Sequence, residues 1–253
     1  MDDGMSVFLP NFDDELLDNF IHNFYGYGNF YGQYWFIGME EGGGKSFQEV
    51  SQRLLTWSTR GRRELEDVAA FPREIGITDL FSDNPKIQPT WGRLIRLLHI
   101  SKYKHTPRKK IKAYQRDHLG RLDGDTCLLE LFPLPSPSTR EWLYSQHSQL
   151  PYLIDRASYR QAVAEFRIEH LQQRIGEYQP KYVIFYGTSY RRYWEKIIGQ
   201  EFTTTDNGLS YAEIGLTSFF LVKHPARRGA TDKYFDWVGR TIPKVLISNS
   251  SGE

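Results

Sequence analysis

The sequence predicts an α/β fold, a three-layer α/β/α domain around a central, mainly parallel sheet of four strands. Four short apolar runs, at residues 34–39, 126–131, 182–186 and 219–223, are rich in aromatic and branched side chains and read as strands buried on both faces. Longer stretches with helical spacing of apolar residues lie at 14–24, 46–57, 91–101, 158–175 and 190–198, and strands alternating with helices form parallel sheets with helices on both sides. A chain of 253 residues is long enough to bury one full core, so a single domain over 1–253 is expected.

Taken in order, each strand empties into an unusual loop. After the first helix, the run at 34–39 ends in Gly38-Met39-Glu40-Glu41-Gly42-Gly43-Gly44-Lys45-Ser46, where three glycines let backbone approach a ligand closely. The end of this loop suggests a phosphate loop, which would make the chain a nucleotide hydrolase. That motif needs four residues between its first glycine and Gly-Lys-Ser, whereas five separate Gly38 from Gly44 and Met39 stands where the glycine belongs. The plain alternative is a strand-to-helix turn with solvated glutamates. The run at 126–131 carries Glu130 inside an apolar strand before Phe132-Pro133-Leu134-Pro135. A buried carboxylate needs a partner, and an ion pair with a neighbouring helix is the simplest one. The third run ends in Tyr186-Gly187-Thr188-Ser189, and the fourth in His224-Pro225-Ala226-Arg227-Arg228. A last helix at 234–246 is expected to kink at Pro243, which lacks a backbone donor, and residues 248–253 read as a frayed polar tail. Ligands of open α/β sheets bind at the carboxyl ends of the strands, where these loops lie.

Composition narrows the function. Basic and acidic side chains nearly balance, 32 against 31, so any surface for nucleic acid must be local. One such stretch is residues 102–121, with eight Lys or Arg and Asp117 as its lone carboxylate. Its Lys109, Lys110 and Lys112, interleaved with Tyr103, His105 and Tyr114, suit a surface that tracks a nucleic-acid backbone. A solvated helix is the alternative. The single cysteine, Cys127, excludes a disulfide framework and any cysteine-ligated zinc or iron–sulfur cluster within the chain. The acidic start Met1-Asp2-Asp3 lacks a signal peptide's basic and apolar regions, which points to the cytoplasm. No run is long enough to span a membrane.

The order of these loops resembles the uracil-DNA glycosylase superfamily. Its first motif is a strand running into Gly-x-Asp-Pro, Gly-Met-Asn-Pro-Gly or Gly-Glu-Ala-Pro-Gly, and Gly38-Met39-Glu40-Glu41-Gly42 stands at that place. Its last motif, a strand ending in His-Pro-Ser followed by an insertion loop and a helix, is matched by His224-Pro225-Ala226. Glu130 and Gly187-Thr188-Ser189 stand at the base-reading and Gly-Ser positions between them. The chain departs from the pattern in three ways: Glu41 replaces the motif's proline, Glu130 replaces the base-reading asparagine, and the cluster cysteines of the iron–sulfur branch are missing.

The resemblance implies a base-excision enzyme that hydrolyses the N-glycosidic bond of a flipped uracil or other damaged base, without metal or redox cofactor. Its partner would be DNA, single- or double-stranded, and the protein a monomer. Cleavage builds positive charge on the sugar and negative charge on the departing base. Glu40, with Glu41 as backup, would orient water and stabilise the sugar cation, while a neutral His224 would donate to the base. Gly38, Met39 and Glu130 would contact the base. Trp91 would stack on it, with Phe47, Trp57 and Phe71 as competitors, and Arg227 or Arg228 would fill the gap left in the stack. An ionised Glu130 penalises uracil and tolerates an amino-bearing base, whereas a protonated Glu130 mimics the missing amide; the sequence favours an altered or modified base. The alternative function is a nucleic-acid-binding protein of the same fold without catalysis.

Overall fold

The computed structural model describes residues 9–103 and 105–250, with side chains described through residue 243. The acidic start, Lys104 of the basic stretch and residues 251–253 of the expected tail lie outside the described residues. In chain order the elements are α1 (Asp14–Asn23), β1 (Gly26–Gly28), β2 (Tyr34–Glu40), α2 (Phe47–Thr59), β3 (Leu65–Glu66) and α3 (Ala70–Glu74). Next come α4 (Pro89–Tyr103), α5 (Arg108–Asp117), β4 (Thr126–Phe132), α6 (Tyr144–His147) and α7 (Arg156–Tyr178). The chain continues with β5 (Tyr182–Tyr186), α8 (Arg191–Ile198), β6 (Thr203–Thr204), β7 (Ser210–Ile214), β8 (Thr217–Val222) and α9 (Asp232–Ser250).

The fold is α/β, but its sheet is mixed and has eight strands in the order β3-β1-β4-β2-β5-β8-β7-β6. The four apolar runs form its central section, β4-β2-β5-β8, all parallel. Successive residues Trp35, Phe36 and Ile37 are all buried, so both faces of the section are covered. The expected four-strand sheet is therefore extended at both edges. β1 adds antiparallel to β4, and β7 antiparallel to β8. These edge strands are short, glycine-containing or polar, and so carry no continuous apolar run.

Local chemistry sets the helix ends. Asp13, Ser46 and Asp155 cap α1, α2 and α7, each side chain accepting from a backbone N–H of the first turn, as orphan helix donors require. Helix α9 runs through Pro243 to Ser250 without interruption, so helix replaces the frayed start expected at Ser248. Its approach to α4 depends on Gly239, where a side chain would meet the Leu97 carbonyl and Ile100. Arg96 on α4 closes the contact through two hydrogen bonds to Asp236, at 2.5 and 2.8 Å.

The most connected buried group is Arg167 of α7, which is wholly shielded from solvent. It donates to the Ile21 and Phe24 carbonyls at the end of α1, at 2.7 and 3.0 Å, and to those of Glu130 and Leu131 on β4. The guanidinium also lies 3.7 Å from the centre of the Tyr25 ring. One side chain thus ties the first helix, the sheet and the long helix together.

Arg167→Met is expected to leave those buried carbonyls without donors and to cost about 3 kcal/mol or more. Arg167→Lys should recover only part of this, since an ammonium cannot span the fork of acceptors. Urea unfolding of the three proteins measures the difference; a Met variant as stable as wild type would show that the clamp does not hold the fold.

Candidate active site

The parallel register aligns the carboxyl ends of the central strands. Gly38 of β2 lies beside Glu130 of β4, and Tyr186 of β5 lies beside Val222 of β8, two residues before His224. A cleft of about 490 Å3 opens there, lined among others by Met39, Glu40, Glu41, Trp91, Glu130 and His224.

Glu130 has an unusual environment. Tyr186, on the far side of β2, donates its hydroxyl to Glu130 Oε1 at 2.6 Å. The bond crosses above β2 at Gly38, where any β-carbon would overlap the Tyr186 ring and Glu130 Oε2. Gly38 is therefore required by a side-chain crossing, not by contact with a ligand. Although Glu130 as a whole keeps some exposure, its Oε2 is closed off from solvent and has no hydrogen-bond partner among the described residues. Burial pushes the Glu130 carboxyl up to about 8, with Glu41 and Glu40 adding repulsion against the Tyr186 hydrogen bond and the positive charge of Arg167. Glu130 is thus mainly neutral at pH 7. The ion pair with a helix side chain does not form; Arg167 reaches the Glu130 carbonyl instead.

The two loop carboxylates are differently held. Glu40 is gripped by Arg156 and Arg160 of α7, the latter through two hydrogen bonds to Oε1 at 2.9 and 2.6 Å. Glu41 accepts from Arg53 of α2 at 2.9 Å and from the Tyr27 hydroxyl at 3.1 Å, and the Arg53 side chain is only 3% exposed. Neither is a solvated loop glutamate, and neither is a free base.

His224 is fixed by its own loop. Its Nδ1 accepts from the Ala226 N–H at 3.1 Å, so a neutral ring carries its proton on Nε2. Burial lowers its pKa, favouring that neutral form. The Tyr186 ring meets it edge-on at 5.5 Å, and Arg93 anchors the loop by donating to the Pro225 carbonyl.

Of the four candidate aromatics, Trp91 is the one that lines the cleft, at the start of α4 and against Phe81. Trp57 and Phe71 are fully buried core residues, and Phe47 stacks on Phe12 at 4.8 Å. Arg227 and Arg228 are exposed on the loop beyond His224, with Arg227 bonded to Thr188 Oγ1 at 3.3 Å; neither lines the cleft. Lys109, Lys110 and Lys112 lie on or beside helix α5, outside the cleft, with Lys112 bonded to Asn84. Tyr27, Arg53, Arg156, Arg160 and Tyr186 belong to the site and escaped the reading of the sequence. Their signal was faint: arginines four residues apart on α7, and a tyrosine closing a strand.

The glycine loop closes on a carboxylate of the next helix. Its Gly44 and Lys45 N–H groups donate to the Glu49 carboxylate at 2.7 and 3.0 Å, so the chain's own anion fills the nest. Compared with known proteins, the sequence matches no family model and no curated protein.

A carboxyl with a raised pKa stabilises the fold while protonated: its contribution is complete below the unfolded value near 4.5 and is lost as pH rises through about 8. Relative to Glu130→Gln, wild type should therefore lose stability between about pH 4.5 and 8, by at most about 1.4 kcal/mol per pH unit. Thermal melts of both proteins across that range measure it, and parallel curves would show that Glu130 is ionised in the fold.

Proposed function

We propose that the cleft is a base-excision site, hydrolysing the N-glycosidic bond of a base flipped out of DNA. The observation that carries this reading is the meeting of a neutral acid, Glu130, a neutral imidazole, His224, and an ionic carboxylate cluster at one strand-end cleft. The reaction needs polar groups at both ends of the bond that breaks: an oxygen of water bonds to the sugar's anomeric carbon, while the base leaves with the bonding electrons and gains a proton. His224 donates from Nε2 to the oxygen on which the base's negative charge gathers. Glu40, held rigid by Arg156 and Arg160, orients the water more than it supplies net charge. Trp91 offers the cleft an aromatic face.

The neutral state of Glu130 bears on the choice of base. A protonated carboxyl donates and accepts as an amide does, so it suits the carbonyl and N–H edge of uracil better than an amino-bearing edge. This reverses the preference for a modified base that an ionised Glu130 implies. Release of uracil, hypoxanthine, cytosine and modified cytosines from single- and double-stranded DNA tests the reading between pH 6 and 9. Uracil release should fall as pH rises through about 8 in wild type and stay level in Glu130→Gln over the same interval. His224→Ala should lower turnover by about 100-fold, and Glu40→Gln should lower it more than it lowers DNA affinity. If wild type binds DNA and releases no base, the pairing of both Glu40 oxygens with arginines favours the second reading, a binding module of this fold.

DNA contact through α5 is a separate part of the proposal, supported by exposed Lys109 and Lys110. Charge reversal at Lys109, Lys110 and Lys112 should flatten the dependence of DNA affinity on salt, by about 0.9 in slope per lost duplex contact. An unchanged slope assigns this helix to solvent.

A further inference from the structure

A second cavity, of about 580 Å3, lies between the end of α4 and the start of α5. It shares no lining residue with the cleft. Lys102, at its edge, pairs with Asp125 just before β4 and lies 4.1 Å from the centre of the Tyr34 ring at the start of β2, so this edge sits at the amino ends of the strands. The cavity is built from two kinds of wall. Tyr103 and Tyr114 supply aromatic surface, and Tyr103 is 68% exposed, its ring meeting His99 edge-on at 5.9 Å. Lys102, Lys110, His105 and His118 supply positive or protonatable groups, and no carboxylate stands among its described lining residues. Lys102 is partly offset by Asp125, while Lys110 makes no ion pair among the described residues.

Buried His99 forms part of the cavity wall. Its Nδ1 is 2.8 Å from the Thr106 hydroxyl, and the ring is edge-on to Tyr114 at 4.8 Å. Burial, with Lys102, Lys110 and His118 nearby, pushes its pKa down to about 4. With two lysines and no carboxylate among its described lining residues, the pocket favours an anion, and Asp125 offsets only the Lys102 side of that charge. A ring beside that charge adds the second half of a recognisable ligand.

We propose that this cavity is a separate binding site for a phosphorylated nucleoside, with the base against Tyr103 and the phosphate toward Lys110 and His118. Both recognition elements are needed: a ring gives stacking of about 1–3 kcal/mol per base, and the cations give charge-assisted hydrogen bonds to phosphate. The ligand is either a free nucleotide or the phosphorylated end of a strand, since both present the same chemistry. The site shares no lining residue with the cleft, although Lys110 also belongs to the DNA contact proposed for α5.

The full chain is titrated with AMP, adenosine, inorganic phosphate and short single strands with and without a 5′-phosphate, by calorimetry and by NMR of the histidine rings. AMP should bind at least about tenfold more tightly than adenosine or phosphate and should raise the His99 titration midpoint. Tyr103→Ala should weaken AMP binding and leave phosphate binding alone, and Lys110→Gln should weaken both, with melting temperatures showing that the variants fold. If the phosphorylated strand binds and moves His99 while AMP does not, the same site serves a strand end. Binding of phosphate as tight as that of AMP, indifference to Tyr103→Ala, or a His99 midpoint unmoved by every probe overturns the proposal. None of these results depends on whether the protein excises a base.

Discussion

The site and the core rest on one row of arginines along α7. Arg156, Arg160, Arg167 and Arg174 recur at four- and seven-residue intervals, which keeps them on one side of a helix with 3.6 residues per turn. The first two hold Glu40 at the end of β2, the third gathers the carbonyls of α1 and β4, and the fourth holds Glu64, before β3, through two hydrogen bonds at 3.0 and 2.8 Å. A guanidinium has enough donors in a fixed plane to bind several acceptors at once. The helix therefore positions strand ends that have no covalent reason to agree with one another. Its cap at Asp155 sets where the row begins: one residue later, Arg156 bonds at once to Glu40 and to the loop after β4.

That arrangement explains why three carboxylates in one small cleft behave differently. Glu40 and Glu41 are each given a cation, so their charges are compatible with partial burial. Glu130 has no cation bonded to its carboxyl group; the Tyr186 hydroxyl and the charge of Arg167 do not outweigh burial and two negative neighbours, so the neutral state is the less costly one. Glu40 and Glu41 stand where β2 ends, within reach of Arg156, Arg160 and Arg53, whereas Glu130 lies within β4. The donors of Arg167 are committed to four main-chain carbonyls, that of Glu130 among them.

Much of this was legible in the sequence, for a physical reason. The central strands announce themselves because burial on both faces demands unbroken apolar runs, and β5 occupies the same residues, 182–186, that its run defines. The edge strands are not legible. Gly26 and Gly28 adopt positive φ angles of 145° and 111° against the backbone of β4, a role fixed by the neighbour's geometry and not by strand propensity. Helix α9 continues past Pro243 because tertiary contacts at Gly239 and Asp236 hold the segment before it, whereas proline alone argues for a stop. At the site, Glu40, Glu130 and His224 could be grouped because strand ends converge by topology. Their partners could not: Arg160 is 120 residues from Glu40 and Tyr186 is 56 from Glu130, and no local pattern encodes such pairs.

Gly38 shows how the two levels join. Read along the chain, it begins a glycine-rich loop and suggests a backbone that lets a ligand approach. Read across the sheet, it is the gap over which Tyr186 reaches Glu130, and it lies beside Glu130 in register. A side chain at this position would force either the tyrosine or the carboxyl out of place, and with it the contact that accompanies a buried, protonated acid. The missing β-carbon thus has a chemical consequence two strands wide: it lets β5 set the hydrogen bonding of β4, so that the Glu130 carboxyl has a defined partner at Oε1 and, among the described residues, none at Oε2.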